Sequence, residues 1–288
     1  MKQSLLLLSV ILLSCNANAQ DIHPLEPINA HYVLLQKLDV QPTAERAQLD
    51  AITFPTNGRT PGKQYVGIEP SYLTQVQVDQ LKASVQFPAN SSVQTRAELD
   101  YLLKMQAQRT PAAEARVLKL AGVGYWPPLE KETDDLGSNV EDLIFEYNEV
   151  TGNKESIMDY PNTLKLLSGV TRDMRIMEFT VKYHLLRARP YLLEPKLEQM
   201  QTMGSPSFAS GHTLWAYIHA FVWSEILPDK REEFLEIAFE IGHSREVMGI
   251  HYPSDEEAAR VLAHNMLVNM NKNKQFKKDL AAAKKEWQ

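Results

Sequence analysis

From residue 91 onward, helix-start signals recur while the two-residue alternation of a strand is scarce. Ser91 with Gln94 fits a capping box for a helix to about residue 108, and Ser138 with Glu141 fits another to about residue 150. Thr110 before Pro111 sets an N-cap ahead of a proline at the first helical position, for a helix to about residue 120. Further helices are predicted over residues 161–189, 212–226, 229–248, 254–271 and 274–287. Chains of this kind bury their apolar stripes helix against helix. The predicted class is therefore all-α, a single helical-bundle domain over residues 91–288.

The first ninety residues read differently. Met1-Lys2, an apolar run from Leu5 to Leu13 and Ala17-Asn18-Ala19 make a secretory signal peptide over residues 1–19, cleaved after Ala19. Leu12-Leu13-Ser14-Cys15 offers an alternative lipoprotein signal, with acylation at Cys15. The expected destination is the periplasm or the medium, and no later stretch is long and apolar enough to predict a transmembrane segment. Cys15 is the only cysteine, so no disulfide forms within one chain and thiol chemistry is excluded. Seven of the sixteen prolines fall between Gln20 and Asn90. Residues 20–90 are expected to be irregular coil with short helices that pack on the domain.

Chemistry concentrates in three blocks of the C-terminal half. The first is Lys182 with Arg189-Pro190, the second Ser210-Gly211-His212, the third Ser244-Arg245 with His251 and Asp255. A phosphoryl group in transfer spreads charge over its oxygens, so its catalysis is mostly positioning and electrostatics. Arg189 and Arg245 supply forked cations and Lys182 a point charge. Placed seven residues apart on one predicted helix, Lys182 and Arg189 would face the same side. Ser210 and Gly211 precede an apolar helix, and their N–H groups would form an anion site at its N-terminus. Asp255, four residues after His251, can accept from one ring nitrogen and leave the other free as nucleophile. Ser254 and Glu257 fit a capping box that would start a helix at Ser254. His212, just past the anion turn, is the expected general acid.

In order and spacing these blocks resemble the type 2 phosphatidic acid phosphatase and vanadium haloperoxidase superfamily, and within it the bacterial class A non-specific acid phosphatases. The resemblance extends over residues 95–285 and includes Thr163 to Leu167, Arg187 to Pro190, Ser254 to Arg260 and Phe276 to Leu280. It implies a helical bundle of the acid phosphatase/haloperoxidase type. It implies phosphate ligation by Lys182, Arg189, Ser210, Gly211 and Arg245, with His212 as acid, His251 as nucleophile and Asp255 as its orienting group. It also implies a phosphohistidine intermediate with neither metal nor cofactor. The chain departs from the family at Ala209, where proline usually precedes Ser-Gly-His; a looser turn is expected.

Thirty Lys and Arg against thirty-six Asp and Glu give a net charge of −6, which argues against nucleic acid as a partner. Small phosphate monoesters are the expected substrates, and a homo-oligomer is compatible with the class. D-x-D, R-H-G, HExxH and G-x-S-x-G motifs are absent, as is the acidic and histidine set of a two-metal site. Two alternatives share the constellation: a vanadium-dependent haloperoxidase, and a phosphate-binding protein impaired in catalysis. His243 beside the third block is a candidate supporting residue. The loop Gly124 to Pro128 is read as a rigid structural turn, with a lid as the alternative. His184, His219 and His264 are read as packing or surface groups.

Overall fold

The computed structural model describes residues 22–27, 44–56, 58, 60–122 and 157–288. The leader, the helix predicted from Ser138 and the aromatic loop at Gly124 lie outside the described residues. Those that are described form ten α-helices and, as β structure, a single isolated bridge between Thr53 and Arg187. We number the helices α1 (Ala44–Asp50), α2 (Gln75–Ala83), α3 (Val93–Ala107), α4 (Pro111–Gly122), α5 (Pro161–Leu185), α6 (Pro190–Leu193), α7 (Gly211–Ile226), α8 (Arg231–Val247), α9 (Pro253–Met270) and α10 (Lys274–Lys284). The all-α expectation holds.

The bundle is organised around α7. Its sequence is apolar on every face, and every residue of it except His212 is buried. A helix apolar all round must be surrounded, and α5, α8, α9 and α10 pack against it. Trp215, Phe221 and Trp223 of α7 join Met174 and Met177 of α5, Phe234 of α8, Met266 of α9 and Phe276 of α10 in one core.

The segment ahead of the bundle is tied to it by charge as well as by packing. Asp173 of α5 accepts the backbone N–H groups of Ser71, Tyr72 and Leu73 at 2.5, 2.8 and 2.7 Å. The Tyr72 hydroxyl donates to Asp279 of α10 at 3.0 Å. Gly62 lies against the Phe179 ring with φ 78°; a Cβ there would meet the ring at 2.0 Å. Only glycine combines that backbone conformation with so close an approach.

Three helix boundaries correct the sequence expectations. Helix α5 stops at Leu185, because Leu186 turns left-handed (φ 52°) while its N–H returns to the Lys182 carbonyl. Arg189 is therefore off that helix, an extended N-cap to α6 with Pro190 at the first helical position. Lys182 and Arg189 do not stand two turns apart on one face. Helix α9 is capped at Tyr252, with Pro253 at its first position, so Ser254 is inside the helix and is no cap. Ser92, one residue after the predicted cap, caps α3 by accepting the Thr95 N–H.

Candidate active site

Chain reversals at the ends of α5, α7, α8 and α9 bring the three blocks together. Lys182, Arg189, Gly211, His212 and His251 line one cavity of about 560 Å³. Lys182 sits in the last turn of α5 and is 1 % exposed. Its Nζ donates to the carbonyls of Pro206 at 2.7 Å and Ser207 at 3.2 Å. Burial, then the neighbouring Arg189, lower its pKa to about 7. Arg189 donates to the carbonyls of Ser205, Pro206 and Ile250 at 3.0, 3.1 and 2.8 Å. Its Nη1 also donates to His251 Nε2 at 2.8 Å.

Arg245, in the last turn of α8, is 0 % exposed, and none of its three guanidinium nitrogens has a hydrogen-bond partner among the described residues. Burial lowers its pKa to about 10, with Glu256 opposing the shift and Arg189 adding to it. A guanidinium buried this way is costly unless something anionic meets it. The other polar groups of the cradle are already engaged. Ser210 caps α7, and its Oγ accepts from Thr213 Oγ1 at 3.0 Å. Gly211 leaves no room for a Cβ, which would lie 2.0 Å from Glu178 Oε1.

The two histidines are held differently. His251 Nδ1 donates to Asp255 Oδ2 at 2.9 Å, which directs the Nε2 lone pair at Arg189 Nη1. Burial first, and then Arg189, depress its pKa well below the usual imidazole value, which favours the neutral ring. His212 Nε2 donates to the Ala121 carbonyl in the last turn of α4 at 3.1 Å, one of the carbonyls a helix end leaves without an internal partner. Burial and Arg245 depress its pKa as well. Burial would push Asp255 up, but Arg187 and then His251 hold it well below the usual carboxylate range.

Of the eight residues singled out from the sequence, Lys182, Arg189, Gly211, His212 and His251 line the cavity, Ser210 caps α7 beside Gly211, Asp255 holds His251 from behind, and Arg245 is near enough to act on His212. His243 falls elsewhere: it donates to Glu246 at 2.9 Å and stacks on Phe239 in a separate cavity of about 310 Å³. Ala209 is buried after a cis Phe208–Ala209 peptide bond, and the Ser210 N–H donates to the Asp255 carbonyl at 3.3 Å. Sequence reasoning missed Arg187, Glu98 and Ser207, which surround Asp255. It also missed the wall made by Gly62, Gln64 and Tyr65 with Phe179, Tyr65 stacking on Phe179 at 5.6 Å. Arg187 alone left a sequence signal, the first half of an Arg-x-Arg pair.

The bundle buries three cations near an imidazole oriented by a carboxylate, a donor set whose chemistry suits an oxyanion. The family model of the PAP2 superfamily matches residues 162–274 of the chain. The chain is 30 % identical over 147 residues to a non-specific acid phosphatase of Providencia stuartii, covering 49 % of this chain and 59 % of that one. It is 27 % identical over 167 residues to a non-specific acid phosphatase of Salmonella typhimurium, covering 56 % and 66 %. It therefore spans less than two thirds of either relative's length. A crystal structure of a bacterial vanadium-dependent iodoperoxidase shares the fold, with a TM-score of 0.52 at 16 % identity over 83 % of this chain and 63 % of that one. No helix among the described residues is long and apolar enough to cross a membrane.

Proposed function

We propose that this protein is a metal-independent acid phosphatase that hydrolyses small phosphate monoesters through a phosphohistidine. The observation that carries the reading is Arg245, a buried cation without a hydrogen-bond partner among the described residues, near enough to Arg189 and His212 to interact with both, at a site where Lys182, Arg189 and an oriented His251 line one cavity. In this reading the phosphate dianion enters the 560 Å³ cavity and takes hydrogen bonds from Arg245, Arg189, Lys182 and the N-terminus of α7. His251 Nε2 attacks phosphorus as the ester P–O bond breaks, and protonated His212 gives a ring proton to the leaving oxygen. Water then attacks the phosphohistidine. His212 takes the water's proton, the P–N bond breaks, and phosphate leaves with both histidines restored.

Burial first and then Arg245 disfavour protonated His212, and the incoming dianion offsets the Arg245 part, so binding shifts His212 toward its acid form. Lys182, with its pKa near 7, is charged on the acid side of neutrality and loses its cation above it. Activity should therefore be highest in mildly acidic solution. A divalent metal between His251 and Asp255 would face Arg187, Arg189 and Lys182 at close range, an unfavourable field for a cation. The proposal includes export through residues 1–19, tested by sequencing the N-terminus of protein recovered from the periplasm.

The decisive measurement is hydrolysis of a panel of monoesters from about pH 4 to about pH 8 with a chelator present, alongside His251→Ala. The expected result is chelator-insensitive acid activity, an acid-labile phosphoprotein on rapid quench, and loss of both in the variant. Near-normal turnover by His251→Ala would overturn the mechanism.

A further inference from the structure

Asp255 has more partners than orienting one imidazole requires. Its Oδ2 accepts from His251 Nδ1 at 2.9 Å, Ser207 Oγ at 2.5 Å and the Tyr252 N–H at 3.1 Å. Its Oδ1 accepts from Arg187 Nη1 at 2.7 Å. The same nitrogen reaches Ser254 Oγ at 2.8 Å, and Nη2 faces Glu98 Oε2 at 3.4 Å. Ser254 closes the ring by donating to Glu98 Oε2 at 2.8 Å. The guanidinium lies 3.8 Å from the centre of the Tyr252 ring and 5.0 Å from that of Phe87. Arg187 is 1 % exposed and takes no part in lining the substrate cavity.

We propose that Arg187 is a positioning residue for the nucleophile and acts through Asp255. A carboxylate buried with one oxygen on the imidazole can still swing about its Cβ–Cγ bond or take up a proton. Arg187 opposes both. It fixes Oδ1 from the side away from His251, and its charge offsets the burial that favours a neutral acid. The ionised, fixed carboxylate then keeps the imidazole proton on Nδ1 and Nε2 available. Glu98, whose carboxyl burial pushes up, and the two aromatic rings fix the guanidinium plane in turn. The brace runs from α3 through the segment after α5 to the start of α9, so the chain ahead of residue 157 helps orient the nucleophile.

The inference rests on the phosphohistidine reading, and a double-mutant cycle separates the two. Arg187→Met is expected to lower kcat roughly 100-fold while KM for an aryl phosphate stays within about threefold, because the substrate cradle is untouched. In an Asp255→Asn background the same change should cost less than about threefold, since Arg187 has nothing left to act through. Arg187→Lys keeps the charge but not the planar fork, and should fall between, at roughly 10-fold. Urea melts check that each protein is folded. If Arg187→Met does not accumulate as folded protein, the cycle is run with Arg187→Lys. Equal losses in both backgrounds, or wild-type kcat in the folded Arg187 variant, would overturn the inference. Full turnover by Asp255→Asn would overturn the phosphohistidine reading itself. Impairment of Asp255→Asn with an active Arg187 variant would remove this inference alone.

Discussion

Replacing Arg245 with methionine should make the protein more stable and nearly inactive. The guanidinium is 0 % exposed and has no hydrogen bond among the described residues. Burial lowers its pKa by more than two from the ordinary guanidinium value, to about 10. At about 1.36 kcal/mol per unit, carrying that charge in the folded state costs about 3 kcal/mol. Methionine is close to arginine in volume, and imperfect repacking should return about 1 kcal/mol of the gain. The net expectation is about 2 kcal/mol of added stability, or roughly 5 °C in Tm for a chain of this size. Urea unfolding in a phosphate-free buffer measures it directly. Phosphate then reverses the order: at a hundred times its Kd it should add about 2.7 kcal/mol to the wild type and almost nothing to the variant. Turnover of an aryl phosphate should drop by about a thousandfold, the upper range for losing one preorganised charge-stabilising group. A variant that is less stable than wild type without phosphate, or that phosphate stabilises equally, would refute the argument that Arg245 is held in waiting for an anion.

Two other substitutions probe the frame around the cradle. Gly211→Ala places a Cβ 2.0 Å from Glu178 Oε1, whose carboxylate Arg175 holds at 2.6 Å. The expected cost is about 1–3 kcal/mol in urea unfolding and at least about a tenfold loss of kcat/KM, and unchanged values for both would mean the carboxylate yields freely. His219, buried between Thr171 and the Trp215 carbonyl, has its pKa lowered by burial from 6.5 to about 4. The unfolded chain takes up this proton near pH 6.5 and the folded one only near 4. The contribution is therefore intact above pH 6.5 and about 3 kcal/mol of it is lost as pH falls toward 4. His219→Gln should flatten that part of the stability–pH curve, and an unaltered slope would count against it.

The sequence exposed the chemistry more readily than its support. Lys182, Arg189, Arg245, His212 and His251 stand in short blocks whose residue types already suggest an oxyanion, and α7 is legible from an apolar run with no polar face. The end of α5 was not legible. Pro190 forbids continuation, but the chain has already turned at Leu186, whose carbonyl takes the Phe54 N–H at 2.8 Å. A contact across the fold set that boundary, and nothing within the helix announces it. Ser254 misled for a related reason: the Ser-x-x-Glu pattern is present, but Pro253 takes the first helical position and Glu257 pairs with Arg260 at 2.8 Å. Its hydroxyl serves Glu98, 156 residues earlier. Buried polar partners at such separations carry no local pattern, which is why Glu98 and Ser207 escaped notice.

Three cations can stabilise a developing phosphoryl charge only if nearby carboxylates do not neutralise them first, and three carboxylates stand close by. Each is engaged by another group. Asp255 is held between Arg187 and His251. Glu178 is paired with Arg175 at 2.6 Å. Glu256 accepts from Thr213, and burial together with Glu246 and Asp255 pushes its carboxyl up, which disfavours its charged form. Lys182 and Arg189 are satisfied by backbone carbonyls, which bring no countercharge. The positive potential of the cradle thus survives in a chain whose net charge is −6. Under the proposed function, the residues that engage the carboxylates, Arg187, Arg175 and Thr213, belong with the proposed phosphate ligands although none need touch phosphate. Electrostatic preorganisation extends outward to whatever keeps the counterions occupied.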